Sequence, residues 1–201
     1  TGGLTGGATG SVQNTVGGNL VNPSNTSQTA TYNVIANSNG CFSTPFSATA
    51  TIYARPFITI QNVSSCSGTA FSVPLSNGGG NILPNATTYT WTVVQNNNVS
   101  GATDVNTPTT SISQTLINIT NTDQIVAYTV TPISGVDGNC VGQPFTVNVT
   151  VKPKPSVTPQ TVPICSGNNF TNEPTNGNGN IIPAGTTFTW NTTPTSNPIG
   201  A

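Results

Sequence analysis

The chain of 201 residues carries three Lys and Arg against four Asp and Glu, with no His and no Met, for a formal charge of −1. Three cations cannot neutralise a run of phosphates, so nucleic acid is not an expected partner. Without His, neither a Ser-His-Asp nor a Cys-His device can be assembled and the usual base at neutral pH is missing, so no enzyme activity and no cofactor are expected.

Disordered chains combine low hydrophobicity with high net charge. Here charge is close to zero, while Thr, Asn, Gly, Ser and Val supply strand and turn formers. An ordered all-β chain is therefore expected.

The first 18 residues, TGGLTGGATGSVQNTVGG, are Gly-rich and have no close match in the later stretch TDVNTPTTSISQTLIN. The run NGCFSTPFSATATIYARP follows, containing Cys41 and alternating Phe46, Ala48, Ala50 and Ile52 before Pro56. Strands are then expected over residues 57–63, 70–75, 88–94, 111–119, 125–133 and 145–152. The turn-forming runs SCSG, SNGGGNILPNA, NNNVSGATDVNTP and GVDGN separate them. The clearest is FTVNVTVK, with Phe145, Val147, Val149 and Val151 on one face and Thr146, Asn148 and Thr150 on the other, the pattern of a half-buried antiparallel strand. KPKP at 152–155 closes the stretch, as ARP at 54–56 opens it, and proline-rich joints of this kind act as semi-rigid spacers.

NILPNATTYTW, ending at Trp91, returns as NIIPAGTTFTW, ending at Trp190. The offset of 99 also carries Cys66 onto Cys165, Phe71 onto Phe170, Tyr89 onto Phe188 and Cys41 onto Cys140. Fixed-period similarity points to a repeat architecture. The reading is of tandem β-sandwich repeats of about 99 residues: the C-terminal part of one repeat at 1–55, a complete repeat at 56–154 and the N-terminal part of the next at 155–201. Trp91, Tyr128, Val147 and Val149 are expected in the core of the complete repeat.

The order CSGTAF, NILPNATTYTWTV, QIVAYTVTPISG and GNCVGQPFTVNVTVKPKP resembles the PKD-like, immunoglobulin-fold repeats of giant surface proteins of Bacteroidota. These include the SprB-type mobile adhesins of gliding motility, exported by the type IX secretion system. The resemblance spans essentially the whole chain. It implies a secreted, cell-surface role in adhesion, as the structural shaft of a long extracellular filament whose partners are neighbouring repeats or copies in a linear array. It also leaves a glycan-binding array, or the stalk of a secreted polysaccharide-degrading protein, as a second role. After TYTW the chain reads TVVQNN instead of the Asp-Gly-rich turn of the better-known PKD domain.

Asp104 and Asp123 flank the stretch 111–119, and an extended strand of that length holds them roughly 30 Å apart, far beyond a catalytic dyad. GVDGN around Asp137 reads as a turn, since a calcium site wants six to eight oxygens and this one offers a single carboxylate. No metal site is expected. No apolar run reaches membrane-spanning length. Asn-x-Ser/Thr triplets, as at Asn62, Asn85, Asn98, Asn118 and Asn148, follow from the abundance of Asn and Thr.

Cys41, Cys66, Cys140 and Cys165 recur at two fixed places per repeat and read as structural disulfides of an oxidising compartment. A bridge within one repeat, Cys66 to Cys140, is one pairing. In immunoglobulin topology those two turns lie at opposite ends of the sandwich, so a staple between successive repeats is the other. Finally, PIGA at the C-terminus aligns with the SGA ending at Ala102, so joining Ala201 of one copy to Thr1 of another is expected to regenerate a whole repeat.

Overall fold

The structure, a computed structural model, describes residues 3–11, 13–135 and 138–192. The chain is all-β, with eleven strands and no helix among the described residues. They are β1 (Gln28–Val34), β2 (Asn37–Ser38), β3 (Cys41–Phe42), β4 (Phe46–Ile52), β5 (Gln61–Cys66), β6 (Thr88–Val93), β7 (Val99–Ser100), β8 (Val105–Thr109), β9 (Ile117–Asn118), β10 (Gln124–Ile133) and β11 (Phe145–Lys152).

One sheet has the order β5-β11-β10-β6-β8, with β5 parallel to β11 and the remaining pairs antiparallel. Facing it, residues 68–73 run against 112–116. Gly68 N donates to Leu116 O at 2.8 Å, Phe71 N to Gln114 O at 3.1 Å and Val73 N to Ile112 O at 3.3 Å. β7 and β9 pair beside this run. The arrangement is that of an immunoglobulin-like sandwich.

Period-two alternation decides what lies between the layers. Val126, Tyr128 and Val130 of β10 and Phe145, Val147, Val149 and Val151 of β11 are buried, and meet Phe71, Ile112 and Leu116 from the opposite layer. Each such side chain removed from water contributes about 1.5–3 kcal/mol. Trp91 lies 4% exposed, and its indole Nε1 donates to Thr103 O at 3.1 Å, which satisfies the polar end of a buried ring. The Tyr128 ring stands 5.5 Å from that of Phe71, and its hydroxyl donates to Gln114 Oε1 at 3.0 Å. Burial pushes the Tyr128 hydroxyl up to about 12 and raises Tyr89 as well, because a phenolate there would lose its hydration.

The expected core residues are thus buried, but several strand limits differ. The strand expected over 57–63 begins at Gln61 and runs to Cys66, while Phe57 makes a single bridge to Ile82. Residues 70–75 and most of 111–119 form no continuous strand. Their ladder is sparse, and Pro74, which has no N–H, ends it on one side. The run 96–106, expected as a turn, contains β7 and the start of β8 because Val99 goes into the core and Val105 packs against it.

On either side of this unit its hydrogen bonds reappear. Thr59 N donates to Asn81 Oδ1 and Thr158 N to Asn180 Oδ1, both at 2.9 Å. Leu83 N donates to Asn77 Oδ1 at 3.0 Å, and Ile182 N to Asn176 Oδ1 at 3.1 Å. Toward the N-terminus, β1 lies against β4 with Gln28 opposite Ile52, as Gln124 lies opposite Val151, which puts Tyr32 at the place of Tyr128.

The Gly-rich start does have a counterpart after all. Thr5 pairs with Val21 as Ser100 pairs with Ile117, and Gly6 and Gly101 share a positive φ and a close approach to the carbonyls of Asn19 and Thr115. Thr5 therefore already holds the place of Ser100, so the expectation that Thr1 takes up the repeat just after Ala102 does not fit this register. Thr1, Ala201 and Asp137 themselves lie outside the described residues.

Candidate functional site: the seam at residues 53–56

The segment between β4 and β5 is not a free tether. Ala54 is 4% exposed and Pro56 is fully buried, while Pro132 under the same turn is also fully buried. Proline fixes φ and contributes no unsatisfied N–H, so two prolines can be enclosed at a joint without stranding a donor.

Against this segment sits the turn between β10 and β11. Arg55 Nε donates to Val141 O at 2.6 Å across 86 residues of sequence. Gly138, at φ +83°, presses its α-carbon onto the Tyr53 side chain so closely that a Cβ there would lie 2.5 Å from the ring. A Cβ on Gly142 would lie 2.5 Å from Pro56 O and 2.8 Å from Pro132 Cγ. Glycine suits Gly142 because the backbone carbonyl of Pro56 leaves no room for a Cβ, and Gly138 because of its positive φ and the Tyr53 side chain against it. The turn is braced from within: Ser134 N donates to Cys140 O at 3.0 Å, Cys140 N to the Ser134 hydroxyl at 2.8 Å and Gly142 N to Pro132 O at 2.8 Å.

The four cysteines are all unbonded. Cys66 lies at the end of β5, with Lys152 as its Cα partner, and Ser67 N donates to Lys152 O at 2.8 Å. Cys140 lies before the start of β11, at the far end of the same strand. Eight residues of strand cover roughly 25 Å, whereas a disulfide needs Cα atoms within about 7 Å. Of the two pairings expected, the Cys66 to Cys140 bridge within one unit is therefore not formed, and the strand between the two residues is the reason.

Asp104 and Asp123 stay apart. Asp104 accepts from Val93 N at 2.8 Å, and Val93 is the Cα partner of Tyr128, whereas Asp123 lies just ahead of β10, five residues or roughly 16 Å of extended chain before Tyr128. Among the described residues no three of His, Cys, Asp and Glu gather. A shallow cleft of about 430 Å³ opens between Leu75, Leu83, Tyr89 and Ile112, with no charged group among its lining residues. Among the described residues no helix is long and apolar enough to cross a membrane.

The seam was only half visible beforehand, since its prolines mark a stiff joint while nothing local says that Gly138 and Gly142 close on it. Asn118 gave no signal as a structural residue either: its amide nitrogen donates to Thr122 O at 2.8 Å and Val151 O at 2.9 Å, as that of Asn22 does to Thr26 O at 2.7 Å and Ile52 O at 2.9 Å. The pair stands 96 residues apart and not 99, because the connection from Val130 to Phe145 is three residues longer than that from Val34 to Phe46.

No curated protein matches the chain. A family model does, and its span runs from within β5 to just past β11: residues 63–155 hold a PKD-like domain.

Proposed function

We propose that this chain is a stretch of the shaft of a long extracellular filament or adhesin on a bacterial surface, built from tandem immunoglobulin-like repeats and serving attachment or gliding. The observation that carries the reading is the seam. A repeat that meets its neighbour through buried prolines, an Arg55 hydrogen bond and two close-packed glycines has a set orientation, and units contacting only their neighbours build a quasi-one-dimensional rod. The hydrogen bonds that recur at 99 residues support more than one repeat. An exported, oxidising location follows from the same reading, and chemistry on a substrate has no part in it. Little of the stability of so weakly charged a surface depends on salt, which suits a stalk exposed to changing media.

A glycan-binding array would want an exposed aromatic platform, and Trp91 offers none at 4% exposure. Trp190 is 83% exposed, but it is the Trp91 counterpart and has no facing strands among the described residues.

Small-angle scattering on chains of two, three and four consecutive repeats tests the proposal. The maximum dimension should rise linearly, by roughly 35 Å per repeat, the length of a ten-residue strand. Growth as the square root of repeat number, the behaviour of beads on a flexible string, would overturn it.

A further inference from the structure

We infer that successive repeats are cross-linked by a disulfide from the first-turn cysteine of one repeat to the last-turn cysteine of the next. Cys66 pairs with the counterpart of Cys140 in the following repeat, and Cys140 with the counterpart of Cys66 in the preceding one. The inference deepens the shaft reading and rests on it.

The juxtaposition comes from two contacts that meet at one residue. Lys152 is the Cα partner of Cys66 across the parallel β5–β11 ladder. Carried back 99 residues, Lys152 becomes Tyr53, just as Val151 becomes Ile52 in the strand register. Tyr53 is the side chain on which Gly138 rests, and Cys140 lies two residues further along that turn. The first-turn cysteine of the preceding repeat therefore sits one strand spacing, about 4.8 Å, to one side of Tyr53. The turn bearing Cys140 lies against the same residue. Neither thiol is enclosed: Cys66 is exposed and Cys140 partly so.

The bonds that fix the Cys140 backbone to Ser134, together with Arg55 on Val141 O, hold the turn at the seam before any bridge forms. Pre-ordering of that kind lowers the entropic cost of closure. The same geometry removes the competing bridge inside one unit, since β11 separates its two cysteines by roughly 25 Å.

The chemistry balances by thiol–disulfide exchange. The two thiols give up two protons and two electrons to an oxidised low-molecular-weight disulfide such as oxidised glutathione, which leaves as two thiols while one S–S bond forms across the seam.

The test uses the full chain carried on past Ala201 by a second copy of residues 103–155, which supplies the strands that the stretch from 155 lacks. Trp190 fluorescence reports whether that sandwich closes, and scattering on a Cys66→Ser version reports whether the units stack end to end without any bridge. After exposure to oxidised glutathione, non-reducing peptide mapping should find a chain two hydrogens lighter, with Cys66 joined to the appended cysteine and Cys140 still a thiol. Cys66 joined to Cys140, or Cys66 left as a thiol in a chain whose Trp190 is buried and whose units stack, overturns the cross-link and leaves the shaft standing. If Trp190 stays in water or the units do not stack, the cross-link and the shaft reading fall together.

Discussion

Asn118 shows what a single polar residue does inside this sandwich. It is 2% exposed and ties three segments: its amide donates to Thr122 O and Val151 O, its carbonyl oxygen accepts from Thr120 N at 2.8 Å, and its backbone N donates to the Ser67 hydroxyl at 3.0 Å. Removing the side chain strands the carbonyl of fully buried Val151 and also frees Thr122 O and Thr120 N at less enclosed residues. Asn118→Ala should therefore cost about 2–4 kcal/mol, well above the loss of one exposed hydrogen bond. Urea denaturation of the full chain measures it, and a change under about 0.5 kcal/mol, the range of ordinary surface substitutions, would show that the bonds carry no weight.

Among the residues, Trp91, Tyr128, Val147 and Val149 could be read from alternation because burial in a strand follows period two. Asn118 could not. Its role depends on where Thr122 and Val151 end up, and in the sequence it is one more Asn among many.

At the level of elements, β10 and β11 were legible because each alternates over at least seven residues. β7 and β8 were hidden within a run that reads as turn, NNNVSGATDVNTP, since pairing with β9 and β6 is decided by partners distant in sequence. The bend after β7 depends on Gly101. It sits at φ +91°, and a Cβ would come within 2.3 Å of Thr115 O, a backbone atom that cannot swing aside.

Gly68 also has a positive φ, +81°, but faces open space. Gly101→Ala should thus destabilise by about 2–3 kcal/mol and Gly68→Ala by about 1 kcal/mol, the second reflecting backbone conformation alone. Thermal melts of the two variants side by side separate the effects. Equal shifts would mean that the contact with Thr115 relaxes freely.

For the whole molecule, Trp91 and Trp190 hold the same offset in the sequence as Cys66 and Cys165. The packing of residues 53–56 has no such signal, because it is made by Tyr53, Gly138 and Gly142, residues that the fold alone brings together. The direction of β5 has a mechanical consequence. The chain enters the PKD-like unit beside the start of β11, runs through β5 parallel to β11 over the six pairs from Gln61↔Val147 to Cys66↔Lys152, and leaves past Lys152 at the other end. Tension on the two ends drags β5 and β11 in opposite directions along their length, so the ladder is sheared and its hydrogen bonds must fail together instead of one by one. Ser65→Pro, which removes an N–H that faces β11 in step with that of Ser67 and bends β5 within that ladder, should lower the force at which the unit opens in single-molecule pulling. An unchanged force would place the resistance elsewhere. The unit then owes its tensile strength to one short parallel pairing, leaving the larger antiparallel sheet behind it unstressed until that pairing gives way.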